Sequence, residues 1–195
     1  PGAVDGTLLA QRFGVLAAVH PLLRLDREVA SRWREALAGA HHAPLDEFGF
    51  GVVADVSDDA ALASLTGRLH IAGRIARALS DLVRLRGASA RLEALRDDPV
   101  AAVEALEGVS PAAIWARGIR EGGAIAETCE AYLTRWRRLR PLLSGDDVIA
   151  LGVARGAAVG EALRALRRAR LEGRVTTRAD EAALVKTMLE EEKRG

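Results

Sequence analysis

The chain has 195 residues, 49% apolar and only 4% aromatic, with a net charge of +1. That apolar content excludes a disordered chain, and the shortage of aromatics leaves the core to Leu, Ala, Val and Ile. The single cysteine, Cys129, excludes an internal disulfide and a cysteine-based metal site.

No apolar run approaches the ~18 residues of a membrane span. Residues 1–6 lack a secretory pattern. The expected setting is therefore the cytoplasm, without membrane association. The opening Pro1-Gly2-Ala3 reads as a cut chain rather than a natural start. Ala and Leu are strong helix formers, and no segment alternates with period two. The fold is expected to be all-α, an elongated multi-helix array of short helices.

In chain order, 7–13 and 15–19 read as short helices broken at Gly14, ended by His20-Pro21 because a residue before proline avoids the helical region. Asp26 is an N-cap for a helix to about Ala38 with Val29, Trp33 and Leu37 on one stripe. Residues 39–56 are the least regular stretch, expected as a loop with a short helix. Ser57 opens the next helix, with Asp58 and Asp59 in its first turn. Residues 71–85 form an amphipathic helix through Ile71, Ile75, Leu79, Leu82 and Leu85. Short helices follow at 88–96 and 99–107. Ser110-Pro111 is a start signal, serine as N-cap and proline at the first helical position. After the Gly122-Gly123 break, a long helix runs over 124–139 and stops at Pro141. Residues 144–151 form a short helix, a second follows the glycines to about Ala169, Gly173 is a C-terminal stop, and Thr177 caps the last helix to about Glu192. The division expected from this pattern is 1–107 and 108–195.

No catalytic set is legible. Two-metal nucleotidyl transfer needs carboxylates converging on the ions. The pairs Asp58-Asp59, Asp97-Asp98 and Asp146-Asp147 sit instead where caps and first-turn acids belong. His41-His42, near Asp46 and Glu47, reads as a solvated loop rather than a metal site. Phosphate-loop and nucleophile-elbow motifs are missing.

Charge placement is more informative. Residues 131–178 hold eleven arginines against four acids, a net +7 in a nearly neutral chain. Such a block is the footprint of a polyanion partner, although an arginine-rich composition that solvates every helix face would also produce it. Arg135, Arg137, Arg138 and Arg140 crowd one helix end around Trp136. That tryptophan either stacks on a base or joins the core. Gly152, Arg155, Gly156 and Gly160 make a small-residue turn into a helix whose free N–H groups can receive a phosphate. Arg164, Arg167 and Arg168 line one side of that helix. The alternative is a turn needed only for close helix packing. Phosphate contacts of this kind position an RNA without reading its sequence.

The run Gly145-Asp146-Asp147-Val148-Ile149-Ala150-Leu151-Gly152-Val153, then Gly156, Val159-Gly160-Glu161, Leu163, Leu166 and residues 169–177, resembles the tail signature of bacterial class II CCA-adding and A-adding tRNA nucleotidyltransferases and their poly(A) polymerase relatives. Residues 14–21 resemble the body segment of the same family. The resemblance implies a head, neck, body and tail protein, to which some members add DHH and CBS domains. In that plan the head binds Mg and ATP or CTP, and the all-α body and tail hold tRNA. This chain would be body and tail, with no cofactor of its own. Asp147 and Gly173 would be structural motif residues. Where the family usually has prolines around the motif glycine, this chain has Ala154, Arg155 and Ala157, which makes the turn more basic. The other reading is a helical scaffold for protein contacts or a homo-oligomer.

Overall fold

The computed structural model describes residues 2–38, 45–192 and 194, with 45–47 as backbone only. The His41-His42 pair lies outside the described residues. Among them the fold is all-α, thirteen helices and one 3-10 turn, with a single antiparallel bridge between Leu23 and Ala54.

Helices α1 (Gly2–Arg12), α2 (Val15–Val19) and α3 (Arg27–Ala38) open the chain. Asp26 Oδ1 accepts the Val29 N–H at 2.8 Å and caps α3. Residues 45–53 form α4 (Leu45–Val53), a short helix within the stretch expected as a loop with a short helix. Its glycines permit close packing: a Cβ on Gly51 would lie 3.0 Å from Ala116 Cβ and 3.1 Å from Leu82 Cδ1. Helix α5 (Asp59–Leu69) starts one residue later than expected. Asp58, not Ser57, is its N-cap and accepts the Ala61 N–H at 2.8 Å, while Ser57 donates its hydroxyl to Asp58. Helices α6 (Gly73–Gly87), α7 (Ser89–Ala94) and α8 (Pro99–Leu106) follow, α8 capped by Asp98.

Helix α9 (Pro111–Glu121), capped by Ser110, lies at the centre and touches α3, α4, α6 and α10 (Gly123–Thr134). The helix expected over 124–139 is shorter. It ends at Thr134 and tightens into the 3-10 turn Trp136–Arg138. Pro141 disfavours helix at Arg140, and four crowded arginines oppose its last turns. The chain closes with α11 (Gly145–Ala150), α12 (Ala157–Leu171) and α13 (Arg178–Glu192).

Burial separates two cores. The larger runs from Val4 to Leu133 and includes Trp33, Leu79, Leu82, Leu106, Ile114 and Tyr132. The smaller is built from Leu143, Val148, Val153, Ala162, Leu166 and Val185. The division expected at 107/108 thus falls inside the larger core, because α9 packs against α3, α4 and α6 and α10 against α7 and α8. The packing break lies in the strap 139–142. No described helix is long and apolar enough to cross a membrane.

Candidate nucleic-acid interface

The smaller core is held by a buried carboxylate. Glu181, on the first turn of α13, is fully buried and accepts the N–H groups of Leu142 and Leu143 at 2.9 Å. Arg170 of α12 completes it at 3.1 Å. Nearby, Ser144 and Asp147 form a capping box at the start of α11. The Ser144 hydroxyl and N–H, with Arg178, hold the Asp147 carboxyl below its ordinary value. Arg178 also donates to the Leu142 carbonyl at 2.8 Å. One strap is thus gripped by Glu181 through its amides and by Arg178 through a carbonyl.

Gly152 and Gly173 each close a helix with a left-handed turn, at φ 112° and 73°. After Gly152, the Val153 N–H reaches Val148 O at 3.1 Å. After Gly173, the Arg174 N–H reaches Ala169 O at 2.9 Å. Both are Schellman closures, which need a residue free of Cβ strain at that position. Gly156, at φ 104°, precedes α12, which has no side-chain cap. Its first N–H groups thus have no side-chain acceptor, and they follow the exposed Arg155. Gly160 lies inside α12, where a Cβ would sit 3.4 Å from Arg164 Nη1.

The arginines fall into two kinds. Among the described residues, Arg135, Arg137, Arg138, Arg155 and Arg164 have no carboxylate partner within ion-pair distance, and all but Arg137 are exposed. Arg140 donates to the carbonyls of Arg137 and Leu139 at 2.9 and 3.0 Å. Arg167 turns inward to Glu107, the residue just after α8, at 3.4 Å, leaving 23% of its side chain exposed. Arg168 pairs with Glu172 at 3.2 Å. The α12 stripe is therefore split: Arg164 faces solvent, whereas Arg167 joins the two cores.

That joint brings both arginine groups together. Burial pushes the Tyr132 phenol up, opposed by Arg137, Arg167 and Arg140, while Glu107 adds to the rise. Arginines from the 3-10 turn and from α12 thus both act on the Tyr132 phenol. Trp136 packs partly buried against the larger core, and the Arg135 guanidinium lies 5.9 Å from its ring centre. Between α8 and α12 a groove of about 450 Å³ is lined by Val103, Glu104, Arg164 and Arg168.

The acidic pairs do structural work. Asp58 and Asp98 are N-caps and Asp147 completes the capping box. Among the described residues no three His, Cys, Asp or Glu side chains could hold a metal ion. Sequence reasoning missed Glu181, Glu107 and a cluster around Asp55, because the amides that Glu181 holds are 38 and 39 residues away, Arg167 is 60 from Glu107 and the Asp55 arginines are 31 or more away. Comparison with protein-family models, curated proteins and solved structures finds no match for this chain.

Proposed function

We propose that this chain is an RNA-holding helical region, of the kind that forms the body and tail of class II tRNA nucleotidyltransferases and poly(A) polymerases, and that tRNA is its partner. The observation that carries the reading is the set of exposed guanidiniums without acidic partners at Arg135, Arg138, Arg155 and Arg164, beside the uncapped start of α12. Each can neutralise a phosphate, and a helix start attracts anions. Such contacts fix where an RNA lies and leave its sequence unread. Nucleotide addition, with its Mg and ATP or CTP, belongs to the head domain of such enzymes, and the chain alone is expected to transfer no nucleotide. We read its compartment as the cytoplasm, where a lone buried thiol stays reduced.

The test is tRNA binding by fluorescence anisotropy at rising salt. Joint replacement of Arg135, Arg138, Arg155 and Arg164 by alanine should weaken binding at least tenfold at low salt and flatten its salt dependence. An affinity indifferent to both salt and these residues would overturn the proposal. A second reading, a scaffold for self-association, is favoured by the exposed apolar side chains of Leu9, Phe13, Val15 and Val19, with Phe13 73% exposed. A stable dimer in sedimentation, lost in Phe13→Ser and indifferent to tRNA, would support that reading instead.

A further inference from the structure

Three arginines from three elements converge on Asp55, just beyond α4. Arg24 comes from the strap after α2, Arg86 from the last turn of α6, and Arg120 from the last turn of α9. Arg120 is the structural partner: its Nη2 lies 2.6 Å from Asp55 Oδ1, and its Nη1 donates to Val52 O at 2.7 Å. That pair already neutralises the carboxylate and ties α9 to the end of α4. Arg24 bonds the other carboxylate oxygen, and Arg86 approaches Oδ1 at 3.2 Å.

These two are the exposed cations of the cluster. Their side chains are 70% and 45% exposed, whereas that of Arg120 is 19% exposed. The neighbouring acids make their hydrogen bonds and ion pairs elsewhere, although Asp58 still attracts Arg86 and Asp26 still attracts Arg120. Glu121 pairs with Arg117 at 3.0 Å, Asp26 caps α3 and Asp58 caps α5. Burial holds the Arg120 guanidinium below its ordinary value; Asp55 and Asp26 oppose that, and Arg86 and Arg24 add to it. Each guanidinium carries five N–H donors, more than a shared carboxylate can accept. The outward donors of Arg24 and Arg86 are anchored side by side, a fork suited to the oxygens of one or two phosphates.

We propose that Arg24 and Arg86 form a second phosphodiester-binding point for RNA, on the α4, α6 and α9 end of the larger core. It rests on the RNA-holding reading and extends it to residues outside the +7 block. The new point and the Arg135–Arg140 group lie toward opposite ends of the twelve-residue α10, about 18 Å long. An RNA touching both is held at two places rather than pivoting about one.

The experiment measures log K for the full chain with tRNA against log salt concentration. Arg24→Gln with Arg86→Gln should reduce the slope by about 1.4–1.8, since each phosphate that is no longer neutralised lowers it by about 0.7–0.9. Arg24→Lys with Arg86→Lys should keep most of the slope, because each charge remains. Circular dichroism verifies the fold. If the double variant is unfolded, Arg24→Gln alone, at the more exposed position, should still reduce the slope by about 0.7–0.9. An unchanged slope and affinity in a folded variant would overturn this inference and leave the RNA-holding reading standing. Failure of the unaltered chain to bind tRNA would sink both.

Discussion

Replacing Glu181 by alanine should uncouple the smaller core from the rest of the protein. The carboxylate is fully buried and serves two backbone amides of the strap and the Arg170 guanidinium. Its loss leaves two amides and a mostly buried cation without partners. Breaking a buried ion pair from one side costs about 3–5 kcal/mol, and the orphaned amides belong to the same order. The smaller core has six buried apolar side chains. Each contributes at most about 1.5–3 kcal/mol, most of it offset by chain entropy. A loss of about 3–5 kcal/mol therefore exceeds the margin of a unit this small. Hydrogen exchange followed by mass spectrometry should show residues 141–189 losing protection while α9 and α10 keep theirs. Glu181→Gln retains one carbonyl acceptor and should fall between the two proteins. Adding Arg170→Met to Glu181→Ala should recover part of the loss, since the stranded charge is gone. A cost below about 1 kcal/mol in urea unfolding, with 141–189 still protected, would refute the claim that Glu181 secures the strap.

Other perturbations have equally definite expectations. Gly51→Val forces side-chain volume between α4, α6 and α9 and should cost about 1–3 kcal/mol in chemical denaturation. His70 ends α5 at φ 51°, a conformation that costs a non-glycine about 1–2 kcal/mol; His70→Gly should raise stability by about 0.5–1 kcal/mol after glycine's extra unfolded freedom is counted. The N–H groups of Thr176 and Thr177, with the Thr177 hydroxyl, pull the Asp180 carboxyl from 3.8 down to about 2. Its contribution is complete above pH 3.8 and is lost as the pH falls toward 2. Melting temperatures between pH 4 and 2 should therefore fall less steeply in Asp180→Asn than in the native chain.

Much of the helix pattern was legible because it is local. Asp26, Asp98 and Ser110 announce helix starts through a side chain that meets an amide three residues on, and Gly173 announces a stop through its backbone. For α4 the sequence suggested a short helix in an irregular stretch but not its bounds or its packing. Gly49 and Gly51 are the small residues that let it approach Trp33 and Ala116. The candidate site was legible as a charge block but not as a surface. The sequence puts Arg164, Arg167 and Arg168 together, and only the fold turns Arg167 toward Glu107 and leaves Arg164 outside. The partition into cores was equally hidden, since α9 resembles its neighbours in sequence and is central only through its packing.

The central claim is that RNA lies across the 3-10 turn and the start of α12. Hydrogen exchange of the chain with and without tRNA tests it most directly. The account predicts added protection of the amides at 135–140 and 152–160, disappearing at high salt, with the α1–α2 face unchanged. Saturated tRNA binding that leaves both segments as exposed as in the free protein would contradict it.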